Sequence, residues 1–288
     1  MTLLIEQGIL ALANVAVQQS DGWFQGHVGA SILAGVQLLE SNQLPERAAR
    51  ALKARLEQHQ ENHPALFEVL EPSPLATDFS SIVSAIENNA QQLSRSGHGV
   101  IYGALFLEAI AKYHINVSQR AVANIAQLLN NCSVDNWARY FGCSDYRRFT
   151  AKNAHELDLL ALCRSALERS TTDVYYSSGG YFYTGERIHS VTHAHAILLL
   201  DQLGYSALAQ QASEQLALQL ELNDLRPESG LTLAAPRHFD LTDATIWEDD
   251  YSDEHQIKLA YSYSQLSQML SESIAPLDNL WGAVCNPQ

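Results

Sequence analysis

The sequence predicts an all-α fold: a single helical domain over residues 1–288, with about ten helices and long loops. Apolar residues recur three and four positions apart in nearly every long segment, strict apolar–polar alternation is almost absent, and helix start and stop residues fall between the apolar stripes. A chain of 288 residues with 47% hydrophobic content fills a sizeable core.

Leu4, Ile5, Ile9, Leu10, Leu12 and Ala13 form the apolar stripe of a first helix, and Ile32, Leu33, Val36, Leu38 and Leu39 that of a second. The same spacing predicts helices at about 45–59, 79–94, 99–114, 118–130, 154–169, 187–203, 207–222 and 254–273. Ser118 opens one of them, Asp78 stands before another, and Asp253 precedes the last with Glu254 in its first turn. Gly204 and Pro276 mark stops. Between the helices, 61–78 with three prolines, 171–185 and 223–252 read as loops. Loops of this length serve as lids or binding segments. Tyr175, Tyr176, Tyr181, Phe182 and Tyr183 in the second could stack on a planar molecule or simply anchor the loop. No strict period is present, but histidine-led helix starts at His27, His98 and His193 are compatible with a repeat-like array.

The net charge of −15 leaves no basic stripe for phosphates, which argues against nucleic acid and anionic membranes and for a small-molecule partner. The first residues lack a basic n-region and no apolar run approaches about 18 residues, so a cytoplasmic protein is expected. Cys132, Cys143, Cys163 and Cys285 show no C-x-x-C spacing and read as small buried hydrophobes. No G-x-S-x-G elbow, Walker A motif or G-x-G-x-x-G fingerprint occurs. The acidic run from Trp247 to Glu254 reads as a solvated approach to a helix N-terminus.

Four histidine pieces carry the chemistry. His27 and His98 each sit between small residues ahead of an apolar helix, where glycine lets the backbone approach and the imidazole turn inward. Each is open to a metal role or to that of a hydrogen-bonded core histidine. In the third piece, His189 and His193 are one helical turn apart and His195 points elsewhere. An i,i+4 pair suits two neutral imidazoles on a metal, though no H-E-x-x-H signature is present. In the fourth, His255 and Lys258 share a face beside Ile257 and Leu259; Lys258 is either desolvated or reaches back to water, paired with Glu254.

Taken in order, Gly26-His27-Val28, His98-Gly99-Val100-Ile101, His189-Ser190-Val191-Thr192-His193-Ala194-His195-Ala196 and His255-Gln256-Ile257-Lys258 resemble the questin oxidase-like family. Trp137 and the 142–147 segment are similar to a tryptophan-glycine-arginine stretch of that family, displaced to follow the His-Gly piece. The resemblance implies a mostly helical, non-heme iron oxygenase that opens aromatic polyketide rings. It also implies Fe(II) held by His27, His98, His189 and His255 with Lys258 as a carboxylated lysine, and His195 as substitute if His189 only supports a ligand. Carboxylation would supply the oxygen ligand that Fe(II) accepts beside imidazoles. Here glycine replaces asparagine before His27, and His193 is additional. His195 and Glu254 are the candidate catalytic groups, and NADPH is compatible as a second cofactor despite the missing phosphate cradle. Two other readings use the same residues: a zinc-type hydrolase or lyase with Glu254 or Asp253 as general base, and a non-enzymatic helical-repeat binding module.

Overall fold

A computed structural model describes residues 1–18, 22–41, 43–135, 139–140, 143, 145–152, 158–170, 172–176, 181–225, 231–248, 254–270 and 277–285, with backbone alone at 17–18, 170, 176 and 181–185. Among them run twelve α-helices: α1 (Thr2–Gln18), α2 (Gly26–Glu40), α3 (Glu46–Asn62), α4 (Ser80–Ala90), α5 (His98–Tyr113), α6 (Gln119–Cys132), α7 (Leu159–Ser170), α8 (Tyr181–Gln202), α9 (Ser206–Asn223), α10 (Thr245–Glu248), α11 (Glu254–Leu270) and α12 (Asp278–Cys285). The all-α expectation holds. The described β-structure is a two-residue antiparallel pairing of Tyr175–Tyr176 with Thr232–Leu233 and two isolated bridges.

The helix ends follow local chemistry. The Ser118 hydroxyl accepts the Ala121 N–H at 3.2 Å, and Asp78 Oδ1 accepts the Ser80 N–H at 2.9 Å. Gly204, at φ +89°, closes α8 as its N–H and that of Tyr205 bond the Asp201 and Leu200 carbonyls at 2.9 Å. Several boundaries differ from the sequence reading, and α4 ends at Ala90, short of the expected 94. Helix α7 starts at Leu159, where Asp158 Oδ1 accepts the Ala161 N–H at 2.7 Å; the expected earlier start falls at 153–157, outside the described residues. Helix α8 begins at Tyr181, so His193 lies mid-helix and does not open a third repeat. The expected loop 223–252 contains α10 and one of the paired strands. Asp253 and Pro276 lie outside the described residues, as do Trp137 and Gly142.

Helices α2, α5, α8 and α11 pack in a closed circuit, each against the next and α11 back onto α2. The remaining helices form an outer layer: α1 covers α2 and α6, α4 covers α5 and α6, α7 and α9 cover α8, and α3 covers α2 and α10. Helix α2 is buried without a break from Gly26 to Leu38, as expected of a helix enclosed on all sides. Gly29 sets its distance from α1, since a Cβ there would lie 2.7 Å from the Gly8 carbonyl oxygen and 2.8 Å from the Leu12 nitrogen. All four cysteines are buried, and none of them forms a disulfide. Among the described residues, no helix is long and apolar enough to cross a membrane.

Helices α5 and α11 are also pinned by a polar contact. Tyr261 Oη donates to Glu108 Oε1 at 2.6 Å, and burial pushes the Glu108 carboxyl up to about 7 against the opposing effects of Tyr261 and Lys112. A carboxyl raised in the folded state contributes its stability below the unfolded value of 4.5 and loses it as pH rises through about 7. Glu108→Gln should therefore gain about 3 kcal/mol relative to the native chain between pH 4 and pH 8.5. Denaturant unfolding at the two pH values measures this, and a difference independent of pH would refute it.

Candidate metal centre

The four circuit helices each deliver one histidine to a common point. His27 and His255 lie in the first turns of α2 and α11, His98 is the first residue of α5, and His189 stands in the third turn of α8. All four are buried, with one nitrogen of each within 4.8 Å of the others. Ring centroids follow the order of the helices: His27–His98 4.6 Å, His98–His189 4.1 Å, His189–His255 5.0 Å and His255–His27 4.1 Å.

Geometry and protonation fit a cation. The Nε2 atoms of His27 and His98 are 3.2 Å apart. Two nitrogens each about 2.1 Å from an ion, at angles of about 90° to 109°, are about 3.0 to 3.4 Å apart. His98 Nδ1 must carry its hydrogen, because it bonds the Arg95 carbonyl oxygen, which only accepts; its Nε2 lone pair therefore faces the cluster. Burial, then the Lys258 charge and the neighbouring imidazoles, hold His27 well below the ordinary histidine range, and burial followed by Lys258 does the same for His98. A metal binds a neutral imidazole through the nitrogen that carries no hydrogen; at His98 that is Nε2, and at His27 it is Nε2 when Nδ1 donates its hydrogen to Tyr102 or to an uncharged Lys258.

Lys258 is 2% exposed, so it does not reach back to water. Its Nζ contacts His27 Nδ1, where the Tyr102 hydroxyl also lies at 2.8 Å. The lysine thus meets the ring nitrogen opposite the one facing His98. As an unmodified amine it orients His27; a carboxylated side chain would have to extend past that ring to become a ligand.

The other histidines are separated from the centre. His193 Nδ1 bonds Gln219 Oε1 at 3.0 Å, and burial lowers it to about 4. His195 Nδ1 bonds Ser262 Oγ at 3.1 Å, its ring meets Tyr261 edge-on at 4.8 Å, and burial lowers it to about 3. His195 and Lys258 border one small pocket with Ala34, Ile101 and Leu105. Glu254, one residue before His255, turns to His63 Nε2 at 3.5 Å instead of joining the cluster. Tyr175 is half-buried in its strand pairing, and the side chains of Tyr176, Tyr181, Phe182 and Tyr183 lie outside the described set.

Several neighbours were not legible in the sequence. Trp23 is edge-on to His98 at 4.8 Å, and Phe24 is edge-on to His27 at 4.7 Å. Phe24 is nevertheless 52% exposed, so the centre lies directly beneath the surface on this face. The Arg95 guanidinium carbon sits 4.5 Å over the Trp23 ring. Beyond it, Arg139 bridges Asp135 and Glu186, all buried, with Tyr146 Oη donating to Asp135 at 2.7 Å. Spacing offered two clues: Tyr102 is one turn after His98 on α5, and Glu186 is three residues before His189 on α8.

Comparison with family models, curated proteins and solved structures returns no match for the chain.

Proposed function

We propose that the chain is a metal-dependent oxidoreductase, a non-heme iron oxygenase of the questin oxidase-like kind, acting on a small aromatic or polyketide-like molecule. The observation that carries the reading is the convergence of four buried histidines from four helices, in the same order and local motifs as the resemblance implies. His27, His98, His189 and His255 would hold Fe(II), which when bound supplies dioxygen activation. The four buried imidazoles would enclose the ion, Tyr102 and Lys258 orient His27, and the Arg95 carbonyl fixes the tautomer of His98. Trp23 and Phe24 offer aromatic faces where the centre approaches the surface, suited to a planar ring. Glu254 and His195 are not placed to touch a reacting group at the cluster, which weighs against the hydrolase reading with Glu254 as base.

The test is anaerobic loading of the purified chain with Fe(II) or Zn(II), followed by metal analysis and oxygen uptake with hydroxylated naphthoquinone and anthraquinone probes. About one iron per chain and iron-dependent oxygen uptake are expected. Zinc retained in an oxygen-insensitive protein would overturn the oxygenase assignment, and no retained metal would overturn the metal centre itself.

A further inference from the structure

The turn that delivers His98 is left-handed for three consecutive residues, with φ 43° at Arg95, 58° at Ser96 and 84° at Gly97. Gly97 has a steric reason for its identity, since a Cβ there would come within 2.7 Å of the His193 ring. Arg95 and Ser96 hold the same conformation with full side chains, which persists only where the surroundings dictate it. Here they do. The Arg95 N–H donates to Asp135 Oδ2 at 2.9 Å, Ser96 Oγ donates to Glu186 Oε1 at 2.5 Å, and Gln219 Nε2 donates to the Ser96 carbonyl at 3.3 Å. The Arg95 carbonyl in turn receives His98 Nδ1–H.

We propose that Glu186, acting through the Ser96 hydroxyl, is a positioning residue of the metal centre: it locks the left-handed turn that aims His98 Nε2 at the common point. This rests on the metal reading above. Glu186 lies on α8 three residues before His189, so one helix fixes two of the four donors relative to each other, the second through the turn. The rings of His98 and His189 are 4.1 Å apart, a separation set jointly by the backbone of α8 and the Glu186–Ser96 bond. Glu186 is itself held by Arg139, whose Nη1 lies 3.3 Å from the same oxygen that receives Ser96. Glu186 Oε1 is thereby held by two donors, and neither bond involves a group of the cluster.

The test uses the full-length chain stripped of metal, with Co(II) as probe. Affinity is read by chelator competition, coordination by the visible absorption of the bound ion, and the His98 tautomer by nitrogen-15 NMR. Glu186→Ala and Ser96→Ala should each bind Co(II) about 10- to 100-fold more weakly, as loss of a ligand's supporting partner does, with an altered absorption band and unchanged helical circular dichroism. Glu186→Gln keeps an oxygen acceptor for Ser96 and should recover most of the affinity. Should Glu186→Ala fail to fold, Ser96→Ala, which leaves the carboxylate and Arg139 in place, carries the comparison. Native-like Co(II) affinity and spectrum in the folded variants would overturn the positioning role alone, as would Glu186→Gln binding no better than Glu186→Ala. A native chain that takes up no Co(II) would overturn the metal reading and this role together.

Discussion

Replacing His98 and His255 together by alanine is expected to lower bound metal from about one ion per chain to less than about one tenth, measured by elemental analysis after anaerobic loading and gel filtration. The pair removes one donor from α5 and one from α11, and the two that remain, His27 and His189, have ring centroids 5.9 Å apart in a nearly parallel stack. Two stacked imidazoles make a poor chelate beside the four-fold cage they replace, and no described Asp, Glu or Cys belongs to the cluster to take over. The fold should survive, because the circuit of α2, α5, α8 and α11 is held by apolar contacts such as Ile32, Ile101, Ile197 and Ile257, all at most 1% exposed. His195→Ala is the control. That ring bonds Ser262 outside the cluster, so its loss should leave stoichiometric metal in place. Metal retained in the double variant would remove both histidines from the ligand set.

The parts of the site that could be read from the sequence are those in which local pattern and tertiary role coincide. His27 and His98 stand at helix starts flanked by glycine, and the structure gives that glycine a purpose: at Gly26, a Cβ would press to 2.6 Å from the Tyr102 ring. His255 followed a visible helix start. Choosing His189 over His193 and His195 required the resemblance, because the three lie within two turns of one buried helix and i,i+4 spacing groups His189 with His193. Tertiary packing separates that pair, with His189 facing the cluster while His193 lies against the backbone at Gly97. The apolar neighbours of Lys258 allow burial, but sequence alone favours a lysine that reaches back to water beside Glu254; its burial and its contact with the far nitrogen of His27 are matters of packing and ring orientation that no spacing encodes. The supporting layer was not legible. Asp135 and Arg139 come from a stretch with no helical apolar pattern, and Arg95 and Ser96 occupy left-handed backbone for which their residue types give no signal. Helix α12 escaped notice because eight residues provide too few turns for periodicity to stand out.

Arg139→Met should be among the most destabilising single substitutions in the chain, costing about 3 to 5 kcal/mol of unfolding free energy, the usual cost of orphaning buried charge partners. The Arg139, Asp135 and Glu186 side chains are 4%, 1% and 2% exposed. Burial alone would lower the guanidinium, but Glu186 and Asp135 outweigh it and hold it above its ordinary value. Burial would raise Asp135, and Arg139 reverses this to hold it below the usual carboxylate range. Glu186 stays raised because burial exceeds what Arg139, Ser96 and Tyr140 return. Methionine matches much of the arginine stem, and what it removes is the guanidinium, with its two carboxylate partners and its place 5.6 Å from the Trp23 ring centroid, so the loss is mainly electrostatic. Without the cation, both carboxyls must protonate in the folded state or remain buried and charged, so their folded values rise above the unfolded ones. A raised carboxyl contributes stability at low pH and loses it as pH rises. The deficit of Arg139→Met should therefore be full at pH 8 and shrink by at least half near pH 5. For a chain of this size it corresponds to a melting temperature about 5 to 10 °C lower at the higher pH. Adding Glu186→Gln and Asp135→Asn to Arg139→Met should remove most of this pH dependence by taking away the groups that titrate. A melting difference equal at both pH values would assign the loss to packing and leave the buried ion pairs without their energetic role.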